Sequence, residues 1–179
     1  MPHKLKCDTK DVFFVEFQRE SYEPLCKAIK AEPDLAICAR VCYPEVALLA
    51  IQRLKPAVVI ITGFSLQGRR DPAFIRKIRK QNPEIKIVVI CMLDETHVGK
   101  ALIAGADGCC ANLDEPEEII WAIRNVLNGH IYVSEDSSRS PASQILVCVR
   151  KQRNDHREVS EVSDSSITPD WLRALAVTA

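Results

Sequence analysis

Glu16, Thr62, Cys91 and Asn112 stand at the ends of apolar runs, so a fold that gathers those ends would gather these side chains. Together they offer one carboxylate, one hydroxyl, one thiol and one amide. Glu16 could serve as a lone acid in a cleft, or accept hydrogen bonds from loop N–H groups. Thr62 could carry a phosphoester added by a protein kinase, which brings up to about −2 charge, or simply fill space as a small neutral residue. The chain has no Gly-rich phosphate loop, no Ser/His/Asp arrangement and no spaced set of metal ligands. The expectation is a protein that is not an enzyme and needs no cofactor.

Eight cysteines add a second chemistry: Cys7, Cys26, Cys38, Cys42, Cys91, Cys109, Cys110 and Cys148. Most sit inside apolar runs, as in Ile90-Cys91-Met92, and a free Cys commonly packs as a small apolar residue. Zinc would want paired Cys/His spacings. Cys38 and Cys42 are separated by three residues, and no second pair matches them. Cys109 and Cys110 are adjacent, so in a strand they point to opposite faces. Cys91 with Cys109 could form a redox-sensitive pair if their Cα atoms lie within about 7 Å.

The elements that must position these residues alternate. Val12–Val15 is a short β-rich run, and Glu20–Ala31 follows with helical spacing at Leu25, Cys26, Ala28 and Ile29. Leu35–Val41 reads as a second strand. Pro44 opens a helix whose expected buried face is Val46, Leu48, Leu49, Ile51 and Leu54. Ala57–Ile61 is apolar on both faces, typical of a central parallel strand, and Thr62–Arg70 reads as a loop. Asp71-Pro72 caps a third helix carrying Phe74, Ile75 and Ile78. Ile85–Met92 is a fourth strand, and a fourth helix ends at Gly105. Ala106–Ala111 is a fifth strand, and Pro116 opens a fifth helix that runs to Gly129. Five strand–helix units predict an α/β fold, a flavodoxin-like (βα)5 doubly wound parallel sheet in three layers. In such sheets a ligand site lies at the carboxyl ends of the strands.

Composition sets the remaining bounds. At 179 residues there is room for one ordinary domain and an appendage. Lys+Arg and Asp+Glu are both 24, so the chain lacks the broad basic field of a dedicated nucleic-acid binder. Runs such as Ala57–Ile61 fall far short of the roughly 20 residues that span a bilayer, and the polar start Met1–Asp11 lacks a secretory apolar region. A cytoplasmic location with no membrane contact is expected. Residues 1–9 read as an N-terminal extension, 10–133 as the domain, and 134–179 as a mostly polar linker and tail.

Ala101-Leu102-Ile103-Ala104-Gly105-Ala106-Asp107-Gly108 resembles the A-L-x-A-G-A-D-G segment that joins the fourth helix to the fifth strand in bacterial response regulator receiver domains, in their NarL/FixJ or LuxR-type branch. Ala31-Glu32-Pro33-Asp34, Lys55-Pro56-Ala57-Val58-Val59 and Pro116-Glu117-Glu118-Ile119 are similar to other parts of that domain. The resemblance spans about residues 10 to 133. It implies two-component phosphorelay signalling, with an aspartate nucleophile after the third strand and an acidic pair that helps hold Mg²⁺. Carried over by position, the nucleophile falls on Thr62, the acidic pair on Glu16 and Phe17, the Thr/Ser position on Cys91 and the Lys position on Asn112. The aromatic switch position falls on Cys109. Only Glu16 keeps its chemical type. The resemblance therefore implies a degenerate pseudo-receiver that has lost the phosphoacceptor Asp.

The family also implies a partner face made of the fourth helix, fifth strand and fifth helix, where Trp121 would be an anchor for a protein partner or a homodimer. Ile167-Thr168-Pro169-Asp170-Trp171-Leu172 is similar to the start of the family's helix-turn-helix, which would make 167–177 its remnant. No recognition helix follows, so sequence-specific DNA binding is not expected of this chain. The function expected is a non-enzymatic signalling module that acts by phosphorylation-independent protein contact. The alternatives are a truncated NarL/LuxR-type regulator that forms mixed dimers, and a Cys-based redox sensor.

Overall fold

The computed structural model describes residues 9–16, 22–64, 70–91, 95–110 and 115–134. Six parallel strands form one sheet in the order β2-β1-β3-β4-β5-β6. They are β1 (Lys10–Glu16), β2 (Leu35–Val41), β3 (Val58–Phe64), β4 (Lys86–Cys91), β5 (Gly108–Cys110) and β6 (Tyr132–Val133). Five helices alternate with them: α1 (Glu23–Ala31), α2 (Pro44–Leu54), α3 (Arg70–Gln81), α4 (Glu95–Ala104) and α5 (Pro116–Leu127). This is the flavodoxin-like receiver fold expected above, with one added short edge strand, β6.

Strand periodicity divides the core in two. Val12, Phe14, Val58, Ile60, Val88, Ile90 and Cys110 pack with α1 and α5 on one face. Phe13, Val15, Val59, Ile61, Ile87, Val89 and Cys109 pack with α2, α3 and α4 on the other. The middles of the central strands, Val12–Val15, Val58–Ile61 and Ile87–Ile90, are therefore apolar and buried on both faces, as a doubly covered parallel sheet demands. Cys109 and Cys110 do point to opposite faces, and both are fully buried.

Two expectations need correction. Thr62 lies inside β3, which continues to Phe64, and not at the start of a loop. On α2 only Ala47 and Ile51, one turn apart, are buried, whereas Val46, Leu49 and Leu54 are exposed. The helix is apolar around most of its circumference, so counting apolar positions could not find its inner stripe. Beyond these, a short strand β6 pairs with β5, Gly108 opposite Tyr132 and Cys109 opposite Val133. Ser134, placed in the tail by the sequence, is buried and donates its N–H to the Cys109 carbonyl.

The segment with the strongest family likeness closes the bottom of the fold. Gly105 ends α4 with φ +112°, a conformation side chains rarely adopt, and a Cβ there would sit 3.2 Å from Arg79 Cγ. Ala106 N–H donates to the Ala101 carbonyl across that turn. Asp107 is buried; its Oδ2 accepts from Ile87 N–H at 2.8 Å and from Arg79 Nη2 at 2.5 Å. The Arg79 guanidinium also donates to the carbonyls of Pro83, Ile85 and Gly105. One side chain thus ties the end of α3, the start of β4 and the α4–β5 turn together. On the far side Arg124 of α5 pairs with Glu32 and, at 2.9 Å, with Asp34. Among the described residues no helix is long and apolar enough to cross a membrane.

Candidate functional site

The carboxyl ends of β1 and β3 lie side by side, with Glu16 and Thr62 as register partners. Thr62 has no solvent exposure, and its hydroxyl donates to the Val15 carbonyl at 3.3 Å. Parallel alternation on two neighbouring strands puts both side chains on one face, and it places the hydroxyl against the β1 backbone instead of in an open cleft.

Glu16 is already engaged. Its Oε1 accepts from Arg40 Nε at 2.8 Å, and its side chain retains 11% exposure. Arg40 rises from β2, where Phe14 is its register partner on β1. It also approaches Glu23, in the first turn of α1, at 3.6 Å. The hydrogen bond to Glu16 pushes the Arg40 guanidinium further above its ordinary range, which keeps this carboxylate beside a permanent positive charge. Sequence reasoning missed Arg40. The signal was there: it is the one charged residue in Leu35-Ala36-Ile37-Cys38-Ala39-Arg40-Val41.

These donors do not fit a divalent cation. Mg²⁺ wants oxygen ligands and several negative charges, and here the carboxylate of β1 faces a guanidinium while the Thr62 oxygen donates to a carbonyl. Among the described residues no group of three or more His, Cys, Asp and Glu could hold a metal ion. Phe17 and Asn112 lie outside the described residues. Cys91 ends β4 opposite Phe64, and its side chain is likewise outside what the structure describes.

Cys109 is the register partner of Val89, two residues before Cys91 in β4. Burial raises the Cys26 and Cys38 thiols above their ordinary range, and Cys38 Sγ lies 3.4 Å from the Val12 carbonyl as a donor. Raised, buried thiols are poor nucleophiles. Beside Arg40 an open groove of about 270 Å³ is lined by Cys26, Lys30, Ile37 and Ala39.

On the expected partner face Trp121 is 60% exposed on α5 and Ile103 is exposed on α4. All three β5 residues are buried, and β6 occupies their outer edge.

No protein-family model matches the chain. It is 30% identical over 103 residues to the transcriptional activator protein ExaE of Pseudomonas putida, a match covering 56% of this chain and 47% of that protein. It is also 30% identical over 89 residues to the response regulator UvrY of Escherichia coli, covering 49% and 41%. The chain thus spans about half the length of these relatives. A LuxR-family two-component response regulator from Aurantimonas superposes with a TM-score of 0.67 at 23% identity, covering 76% of this chain and 97% of that one. The isolated receiver domain of RcsB from Salmonella enterica, with the phosphomimetic beryllofluoride, gives 0.64 at 16% identity, covering 73% and 97%. Sequence relatives and structural neighbours together support a response regulator receiver domain of the LuxR, NarL and RcsB type.

Proposed function

We propose that this chain is a receiver-like signalling module that works by protein contact and not by aspartyl phosphorylation. One observation carries this reading: Thr62, at the phosphoacceptor position implied by the resemblance, is fully buried with its hydroxyl spent on the Val15 carbonyl. A threonine there cannot form an acyl phosphate. The pairing of Glu16 with Arg40 supports the same reading, because it gives the remaining acid a counter-charge that needs no metal. On this view the cleft has one state, and the signal follows from which protein the module meets. The α4 and α5 surface, with Ile103 and Trp121 exposed, is the face proposed for a protein partner.

A second reading has a specific observation in its favour: one relative is a transcriptional activator about twice as long as the match. The chain would then act by forming mixed dimers with an intact regulator of that kind.

The test is exposure to acetyl phosphate or beryllofluoride with Mg²⁺, followed by thermal shift and amide NMR. The expected result is unchanged melting and unchanged peaks around Glu16 and Thr62. A Mg²⁺-dependent response at those peaks refutes the reading.

A further inference from the structure

Six large apolar side chains are exposed among the described residues, and four of them, Tyr43, Val46, Leu49 and Leu54, belong to α2 or the residue before it. α2 packs on the sheet through Ala47 and Ile51. The opposite side of the helix carries Glu45, Leu49 and Arg53, spaced by four residues and therefore stacked in one stripe, with Val46 beside Leu49. All four are exposed. Isolated surface apolar residues need no explanation, but a cluster on one helix does.

The stripe is its own complement. Leu49 is 63% exposed and sits midway between an acid in the first turn and a base in the last. We propose that α2 is a contact surface for a second copy of this chain, paired antiparallel about a two-fold axis through Leu49. The axis brings Glu45 against the partner's Arg53, and Arg53 against the partner's Glu45. Leu49 meets the partner's Leu49, flanked by Val46 from each copy. A two-fold contact must use the same patch twice, and this charge order satisfies that requirement. Antiparallel helix dipoles add in the same sense. The opposite order, two like charges about the central Leu, would have forbidden it.

One helix face of 11 residues is about 16 Å long, which gives a contact smaller than a standard stable interface. The dimer is therefore weak and concentration-dependent. The pairing names how copies meet in the module proposed above, but it does not need an inert cleft. The acetyl phosphate result reads the cleft alone, and the experiment below reads α2 alone.

Sedimentation of the full chain over about 1 to 500 μM should show a monomer–dimer equilibrium in this weak, transient regime. Glu45→Arg and Arg53→Glu should each weaken it about tenfold, since each sets like charges against one another at both ends. Mixing these two variants in equal amounts should restore the dimer, because each then meets the opposite charge. Leu49→Glu should leave a monomer, and Trp121→Ala should change nothing. Circular dichroism melts of all variants confirm that each is folded. The proposal is overturned if the intact chain stays monomeric, as when the tail or a foreign helix covers α2. It is equally overturned if the mixture fails to dimerise, or if Trp121→Ala and not Leu49→Glu abolishes the dimer.

Discussion

Thr62→Asp puts back the side chain type that a phosphoacceptor needs, and its consequence follows from what now surrounds Thr62. The hydroxyl donates to the Val15 carbonyl in a site with no solvent exposure. An ionised carboxylate cannot donate, so it would face that carbonyl oxygen with no water to screen it. A protonated carboxyl could restore the hydrogen bond. Burial therefore raises the introduced group's folded-state pKa, and a rise of about two units, modest for a buried acid, corresponds to roughly 2.7 kcal/mol. The sign runs one way. Between the unfolded value near 4 and the raised folded value, the native state holds more protons than the unfolded chain, so stability falls as pH rises. Urea denaturation of both proteins from pH 4 to 7.5 measures this. The variant should lose about 1 kcal/mol at pH 4, where the hydrogen bond survives in altered geometry, and about 3 kcal/mol or more at pH 7. Thr62→Val, which removes only the hydroxyl, should cost about 1 kcal/mol at every pH. A Thr62→Asp protein as stable as the parent at pH 7 would falsify the picture of a closed site, and the case against phosphoryl capture would go with it.

Two further outcomes test the frame that holds the site. Asp107→Ala leaves the Ile87 N–H without its carboxylate acceptor and takes the ion partner from Arg79. The expected loss is about 3 kcal/mol by chemical denaturation, and a change below about 1 kcal/mol would mean the clamp is not what closes the α4–β5 turn. Arg124 holds the Asp34 carboxyl below its ordinary value through a side-chain hydrogen bond, so the stability this adds is present above pH 4 and fades as pH falls through the lowered value. Arg124→Met should cost up to about 1 kcal/mol at pH 6, since the pair is part-exposed, and the gap to the parent should shrink by pH 2.5; a gap that stays constant or widens contradicts the assignment.

Much of the architecture could be read from the chain because the physics there is local. Leu35–Val41 and Pro44–Leu54 are bounded by turn and proline signals that act within a residue or two, and both elements start and end where those signals stand. Ala57–Ile61 had to be central because nothing polar interrupts it. What escaped is what depends on neighbours distant in sequence. β6 is two residues long and exists only because β5 offers an edge to pair with. The inner stripe of α2 was hidden by apolar residues on its outer side as well. At the site, the types at Glu16 and Thr62 suggested the degenerate pocket proposed here, but not what these side chains bond to. That needed the pairing of β1 with β2, which brings Arg40 from 24 residues away to the Glu16 carboxylate.

The fold-closing residues and the candidate site occupy opposite ends of the same strands, so on the reading proposed here one persists without the other. Gly105, Asp107 and Gly108 act at the amino end of β5. At Gly108 a Cβ would press on the Val126 side chain at 3.2 Å, and Asp107 locks α3 to the start of β4. A side chain at Gly105 would strain the backbone, and replacing Asp107 removes an ion partner of Arg79. Glu16 and Thr62 act at the carboxyl ends, where the requirement is only that buried polar groups be satisfied. An Asp cluster holding a metal meets that requirement by binding an ion that can be taken away and returned. A Thr bonded to a carbonyl and a Glu paired with an Arg meet it within the chain itself. In the module proposed here a site satisfied internally exchanges nothing with a phosphoryl donor, and regulation passes to the surfaces, where Leu49 and Trp121 are exposed.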